Sequence, residues 1–330
     1  MAYTIYDIAK LAHTSPSTVS RYINNKPLKP ENYKRIKEVM DKIDFKPNAM
    51  ARALVSQTLK TVAIFTTDIR VPHFASTVYA LEQEFSLKGY HVIICNVSSN
   101  PLKSIEYLKR LSNTKLDAVI FVGSIFNELN NNNEIKELLN DHLVILANGK
   151  LNLNNSYSLL VDDNKGIYKA FEYLYKIKHR KNILYFKDLN TSSSNLKEEG
   201  FINACNKYNI DIKDKIYTNI YDIDSGKQII KKLIENRINF DGIICGEDQA
   251  AIGVINQLKD FNIKVGKEVD VIGYNNTIYS EMISPKLTVI DNKPELQSKI
   301  IVEMIDNYLI NKTKIESKVI EPELIIKESA

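Results

Sequence analysis

Ser17, Thr18, Ser20, Arg21 and Asn24 fall close together in the stretch SPSTVSRYIN. Short hydroxyls, an amide and one planar cation carry no catalytic chemistry by themselves, but they are the groups that hydrogen-bond to base edges and phosphates in a DNA major groove. A second set of polar residues stands just beyond apolar runs: Asp68, Arg70, His73 and Phe74 after VAIFTT, Asn148 after LVILAN, Glu247 and Asp248 after DGIICG, and Asn275 and Asn276 after VDVIGY. With Tyr221 as a flat face, these acceptors and amides suit a polyhydroxylated solute held at the ends of strands. Plainer roles stand beside each: packing for His73 and Phe74, and capping of a helix starting at Gln249 for Asp248. Enzyme signatures are missing: there is no GxGxxG after the first apolar run, no GxxxxGK[ST], no GxSxG, no HExxH and no cluster of Cys and His. No cofactor and no metal site is expected.

The first set needs helices to present it. Thr4 three residues before Asp7 has the form of a capping box, and Ile5, Ile8, Ala9 and Ala12 then share one helical face. His13-Thr14 interrupts, Ser15 is a good N-cap, Pro16 fits the first helical position, and Val19 and Ile23 continue an apolar stripe. Pro30 opens a third helix whose Ile36, Val39, Met40 and Ile43 can close a small core. A helix pair with a polar second helix is common in soluble proteins, so charge decides. Residues 1–60 carry eleven Lys and Arg against five Asp and Glu, whereas the rest of the chain is slightly acidic, although the whole has 44 against 40. The cationic surplus lies where phosphates would be met.

The second set needs strands. From Thr61 onward, apolar β-branched runs alternate with amphipathic stretches near 72–88, 101–113, 165–177, 195–208, 226–236 and 248–260, which predicts parallel sheets covered on both faces. Two sheets of about four to six strands fit better than one long one. The chain would cross between them near 161–163, 289–292 and 320, with a last helix at about 294–310 and SKVIEPELII completing both. ELNNNNE reads as an exposed approach to a helix. Between the two regions, AMARALVS is helix-competent, with Asn48 as cap and Ala51, Leu54 and Val55 along one side. With 330 residues, 44% apolar and 25% charged, the chain is globular. Three widely spaced cysteines point to neither disulfides nor metal. The polar N-terminus and the lack of a long apolar run predict a soluble, cytoplasmic protein without a membrane partner.

TIYDIAKLA, SPSTVSRYIN and FKPNAMARAL, in that order, resemble the DNA-binding headpiece of the lactose, galactose and purine repressor family of bacterial transcription regulators. The resemblance continues in DGIICGEDQAAIGV, NLKEEGF, VIGYNN and SPKLTVI. It implies an α/β protein: an all-α helix-turn-helix headpiece, residues 1–46; a hinge helix and linker, 47–60; and two doubly wound parallel-sheet subdomains like periplasmic binding proteins, 61–161 with 291–320 and 162–290 with 321–330. It implies DNA contacts by Thr4, Tyr6, Ser15, Pro16, Ser17, Thr18, Ser20, Arg21, Asn24, Asn48, Ala51 and Leu54. Of these, Pro16 and Ser17 would discriminate operators, Arg21 would read bases and Leu54 would wedge into the minor groove. It implies effector contacts by His73, Phe74, Asn148, Lys197, Tyr221, Asp248 and Asn275. The chain departs from the family with Lys197 for the usual Arg, Glu247 for Asn and Asn275 for Asp, exchanging a bidentate fork for a point charge and removing an ionised acceptor. The expected function is a homodimeric repressor of carbohydrate-utilisation genes on a palindromic operator, controlled by a sugar or sugar phosphate between the subdomains. The alternative is a cytoplasmic solute-binding protein without regulatory DNA binding, and turnover of a sugar would revive an enzyme.

Overall fold

The computed structural model describes residues 3–23, 27–43 and 59–330. Asn24, Asn48, Ala51, Leu54 and the helix expected from AMARALVS lie outside the described residues.

Three helices form the first unit: α1, Ile5–Leu11; α2, Pro16–Ile23; and α3, Pro30–Lys42. The capping box at α1 is present, with the Asp7 amide donating to Thr4 Oγ1 at 3.3 Å and the Thr4 amide donating to Asp7 Oδ2 at 2.8 Å. Two orphan amides of the helix start are thereby satisfied. His13 takes a left-handed φ of 48° in the turn, the Thr14 amide donates to Ala9 O at 2.9 Å, and the Thr18 amide donates to Ser15 Oγ at 3.2 Å to start α2. Ile8, Ala9, Ala12, Val19 and Ile36 are buried together, with Val39, Met40 and Ile43 partly buried against them. This small core fixes α2 so that its polar side faces outward.

The second unit contains two six-stranded sheets. The strands are β1 (Thr61–Thr66), β2 (His91–Asn96), β3 (Ala118–Val122), β4 (Leu143–Ala147), β5 (Ser156–Val161), β6 (Ile183–Phe186), β7 (Ile216–Tyr217), β8 (Gly242–Cys245), β9 (Asp270–Tyr274), β10 (Thr288–Asp291), β11 (Lys318–Ile320) and β12 (Glu323–Ile325). Their orders are β11-β5-β4-β3-β1-β2 and β12-β10-β9-β8-β6-β7. β3 and β4 are buried at every residue, the pattern of central strands covered on both faces. The parallel pairing expected from strand-helix alternation is found for β1-β3-β4-β5-β11 and for β7-β6-β8-β9-β10, while β12 pairs antiparallel with β10. The exception has a local cause: β11 and β12 lie in different sheets but are joined only by Glu321-Pro322, too few residues for a crossover helix.

The chain leaves the first sheet after β5 into the helix Asp163–Glu172, whose Ile167, Ala170 and Phe171 pack against β6, β8 and β9 of the second. It returns after β10 into the helix Pro294–Leu309, which packs with the helix Pro72–Leu87 on the first sheet through Ile301, Val302, Ile305, Val78, Leu81 and Phe85. The second sheet is covered on its other face by Ile223–Glu235 and Asp248–Asp260. Gly200, in the helix Ser192–Lys207, lies so close to Asp163–Glu172 that a Cβ would stand 2.2 Å from Asn164 O. The asparagine-rich stretch is more than an exposed approach. Asn132 caps Asn133–Leu139 by accepting from the Ile135 amide at 3.0 Å, and Asn130 binds Lys150 O and the Asn152 amide. Among the described residues no helix is long and apolar enough to cross a membrane, and Cys95, Cys205 and Cys245 are buried and free.

Candidate functional site

Two regions collect the residues picked out by their chemistry, and they lie in different units. In the first, Pro16, Ser17 and Arg21 are exposed on α2, while Val19 between them is fully buried. Ser17 and Arg21 are one helical turn apart and share a face. Thr18 and Ser20 are half-buried, and Tyr6 on α1 is 72% exposed. The Ser15, Ser17 and Thr18 hydroxyls meet at the start of α2, with Ser15 Oγ 2.8 Å from Ser17 Oγ and 2.7 Å from Thr18 Oγ1. Thr4 is exposed, but its hydroxyl donates to Asp7 Oδ2 at 2.6 Å and accepts the Asp7 amide, so its first use is to cap α1. What remains outward is a ridge of one guanidinium and several hydroxyls over a rigid helix, suited to a groove floor.

In the second unit a cavity of about 340 Å³ opens between the two sheets. Its walls come from the segments that follow the strands: Thr67 and Asp68 after β1, Gly123 and Ser124 after β3, Asn148 after β4, Asp163 after β5, Asp188 after β6, Tyr221 after β7, Glu247 after β8, Asn275 after β9 and Asn292 after β10. Six of the seven expected effector residues line it: His73, Phe74, Asn148, Lys197, Tyr221 and Asn275. Gly123 has φ 113°, and a Cβ there would stand 2.8 Å from Phe74 Cε1, so glycine is what lets the Phe74 ring lie on this wall. Tyr221 is 44% exposed at the cavity wall.

Asp248 does not line the cavity, and this corrects the expectation. It is fully buried at the start of Asp248–Asp260, where its Oδ2 accepts the Thr277 amide at 2.7 Å and the Thr277 hydroxyl at 2.8 Å. Its side chain does not cap its own helix; it ties down the loop after β9. Burial pushes its pKa up to about 7 against the pull of the Thr277 donors. Its neighbour Glu247 takes the wall position instead.

The polar groups of the walls are already organised. Lys197 is buried, donates to Gly246 O at 2.9 Å, stands 3.7 Å from Asp188 Oδ2 and lies 4.0 Å from the Tyr274 ring centroid. Desolvation works against its charge, but Asp188, Asp163 and Glu247 outweigh it and raise its pKa. Burial raises the pKa of Asp188 despite the nearby Lys197. Asp163 accepts the Tyr274 hydroxyl at 2.5 Å, the Ser193 hydroxyl at 2.5 Å and the Asn148 amide at 3.3 Å. Asn148 sits at φ 61° and also accepts the Val161 amide at 3.1 Å. Asn275, at φ 102°, accepts from Asn292 at 3.0 Å.

A close polar contact spans the two lobes at this cavity: His73 Nδ1, from the helix over the first sheet, lies 3.1 Å from Glu247 Oε1 beside the second. Burial opposes ionisation of Glu247, yet the charge and hydrogen bond of His73, with Lys197 and Asn275, hold its pKa below the ordinary value. Asn127 to Ser192 at 2.9 Å and the Ser193 amide to Ser124 Oγ at 3.3 Å join the lobes further along. Asp163, Asp188, Asn292 and Gln297 were not singled out from sequence, although Asp163 and Asp188 follow strands β5 and β6 and the same strand-end rule reaches them.

Residues 4–48 match the model of bacterial regulatory proteins of the lacI family, and residues 171–330 match a periplasmic binding protein-like domain. An HTH-type transcriptional regulator of Lachnoclostridium phytofermentans is 33% identical over 298 residues, covering 88% of each chain. Catabolite control protein A of Priestia megaterium is 28% identical over 327 residues, covering 97% of this chain and 96% of its own. Among solved structures, the Lac repressor bound to ONPG in the repressed state superposes with a TM-score of 0.81 at 17% identity over all of both chains. A LacI family regulator from Enterococcus faecium with bound ribose gives 0.70 at 23% identity, covering 82% of this chain and 98% of that one. The structural likenesses speak to the fold alone, whereas the identity to the Lachnoclostridium regulator, spread over most of both chains and joined to the headpiece match, assigns the function class. This chain belongs to the lacI family of bacterial transcriptional regulators.

Proposed function

We propose that the protein binds a near-palindromic operator as a homodimer and represses carbohydrate-utilisation genes under the control of a sugar-like effector. What carries this reading is the combination, in one chain, of an exposed Pro16-Ser17-Arg21 ridge on a short buried-core headpiece and a polar cavity between two lobes. Family relatives carry the names of transcriptional regulators and not of enzymes, which favours binding over turnover. Solved structures of the same fold were obtained with ribose, sucrose, cellobiose or operator DNA, and these support the choice of partners.

Arg21 reads bases, Pro16 and Ser17 set specificity by fit, and Tyr6, Ser15, Thr18, Ser20 and Asn24 contact the backbone, while Thr4 serves by capping. Asn48, Ala51 and Leu54 belong to a hinge helix in the minor groove. The domain boundaries are those read from sequence: 1–46, 47–60, 61–161 with 291–320, and 162–290 with 321–330. His73, Phe74, Asn148, Lys197, Tyr221 and Asn275 hold the effector, with Asp163 and Glu247 added and Asp248 left out. The protein works in the cytoplasm without catalysis. An effector that prefers one relative setting of the lobes shifts the population between DNA-binding and released forms.

Footprinting of the purified protein on its own upstream DNA, with salt titration, tests this. A protected inverted repeat with a steep salt slope supports it; equal affinity for scrambled DNA contradicts it.

A further inference from the structure

We infer that the effector is an uncharged, hydroxyl-rich ring, and that this cleft rejects phosphorylated sugars. The inference rests on effector binding in the cleft proposed above and narrows it to one charge class.

Four carboxylates line the cavity, Asp68, Asp163, Asp188 and Glu247, against two basic side chains, Lys197 and His73. Phosphate is recognised by guanidinium forks, free ammonium groups or unfilled helix N-termini. The first two are absent or already engaged. No arginine is among the lining residues. Lys197 is buried with its ammonium committed to Gly246 O, Asp188 and the Tyr274 ring. His73 faces Glu247. Arg70, close by in sequence, is turned to Asp68 with three hydrogen bonds from its guanidinium.

Two of the helix starts at the cavity are capped. At the start of Ser192–Lys207 the Ser193 amide donates to Ser124 Oγ and the Ser194 amide to Thr191 Oγ1. At Asp163–Glu172 the Lys165 amide donates to Asp162. Asp248–Asp260 and Pro72–Leu87 have no side-chain cap, but the first begins beside the Glu247 carboxylate, which disfavours a second anion there, and the second begins with a proline that has no amide hydrogen. A phosphate dianion would enter a space walled by more carboxylates than basic side chains, with no arginine and no uncommitted ammonium to meet it. Ring hydroxyls fare oppositely: they donate to Asp163 and Glu247, and their apolar faces lie on Phe74 and Tyr221.

The test uses full-length protein and matched pairs: ribose with ribose 5-phosphate, glucose with glucose 6-phosphate, fructose with fructose 1-phosphate, and sucrose with sucrose 6-phosphate, with inorganic phosphate as the bare anion. Calorimetric binding is expected for at least one unphosphorylated sugar, with its phosphorylated partner weaker by roughly a hundredfold or more, the scale of one desolvated like-charge contact. In Glu247→Gln the gap should narrow by about tenfold, because one of the repelling charges is gone. A phosphorylated compound binding as well as or better than its partner, or a gap unchanged in Glu247→Gln, overturns the inference while leaving effector binding intact. If neither member of any pair binds while operator binding persists, effector control by sugars falls and the charge preference falls with it.

Discussion

Replacing Lys197 by Met removes a buried ammonium and keeps an unbranched apolar stem of similar length. Three contacts go: the hydrogen bond to Gly246 O at 2.9 Å, the ion pair to Asp188 at 3.7 Å and the approach to the Tyr274 ring at 4.0 Å. Lys197 and Asp188 side chains are only 5% and 13% exposed, so water replaces the lost partner only in part. Breaking a buried pair typically costs about 3–5 kcal/mol. The low end applies here, because 3.7 Å is beyond hydrogen-bonding distance and because Asp188 can escape by taking up a proton. A loss of about 3 kcal/mol is therefore expected for Lys197→Met, and Lys197→Met with Asp188→Asn should recover roughly 1–2 kcal/mol of it. The pH dependence has a definite sign. Burial already raises the Asp188 pKa above its ordinary value, and removing Lys197 raises it further. A carboxylate whose folded pKa exceeds its unfolded one loses stability as pH rises between the two. The penalty of Lys197→Met must be larger at pH 8 than at pH 5.5. Urea unfolding of the four proteins of the cycle at both pH values measures this. A loss under about 1 kcal/mol, no coupling to Asp188→Asn, or a penalty that shrinks at high pH would refute the assignment of Lys197 as the counter-ion of this wall.

Asp248, with a folded pKa of about 7 against 3.8 for the free group, binds its proton more tightly when folded, so it should make the protein less stable as pH climbs toward 7. The full span is roughly 3–5 kcal/mol. Asp248→Asn keeps an acceptor for Thr277 and should flatten that slope; parallel urea melts from pH 5 to 8 for both proteins check it, and identical slopes would contradict it. Gly200→Ala places a methyl 2.2 Å from Asn164 O, a backbone atom that cannot turn aside. A loss of about 2–3 kcal/mol is expected by thermal and urea unfolding, and a neutral result would mean that the helices Asp163–Glu172 and Ser192–Lys207 are not packed so closely.

The helix ends and the strand-helix alternation were legible because they depend on neighbours in sequence. Thr4 with Asp7, Pro16 after Ser15 and the apolar runs before Asp68, Asn148 and Asn275 each carry their signal within a few residues. The antiparallel edge at β12 was not, since it depends on which sheet each of two adjoining short strands joins. Strand ends also located most of the cavity wall, because open parallel sheets present their carboxyl ends to the cleft. The rule names a segment but not which of two adjacent acids turns inward. Glu247 and Asp248 are consecutive, and only the contact with Thr277, 29 residues away, takes Asp248 out of the wall. Asp163 is likewise held by Tyr274, 111 residues distant, an arrangement with no local trace. The departures from the family, Lys197, Glu247 and Asn275, were visible as single letters; their meaning came from the Asp188, His73 and Asn292 groups they face.

The most direct measurement is operator affinity, by fluorescence anisotropy on one preparation of full-length protein, with and without the sugar that binds it calorimetrically, using Arg21→Ala as control. The affinity should change by at least about tenfold with the sugar, as a coupling free energy of 1–3 kcal/mol requires. Arg21→Ala should lose roughly ten- to a hundredfold in operator affinity with sugar binding intact. Operator affinity indifferent to a sugar that demonstrably occupies the cleft, or unchanged in Arg21→Ala, would contradict a ligand-controlled regulator that reads DNA through α2.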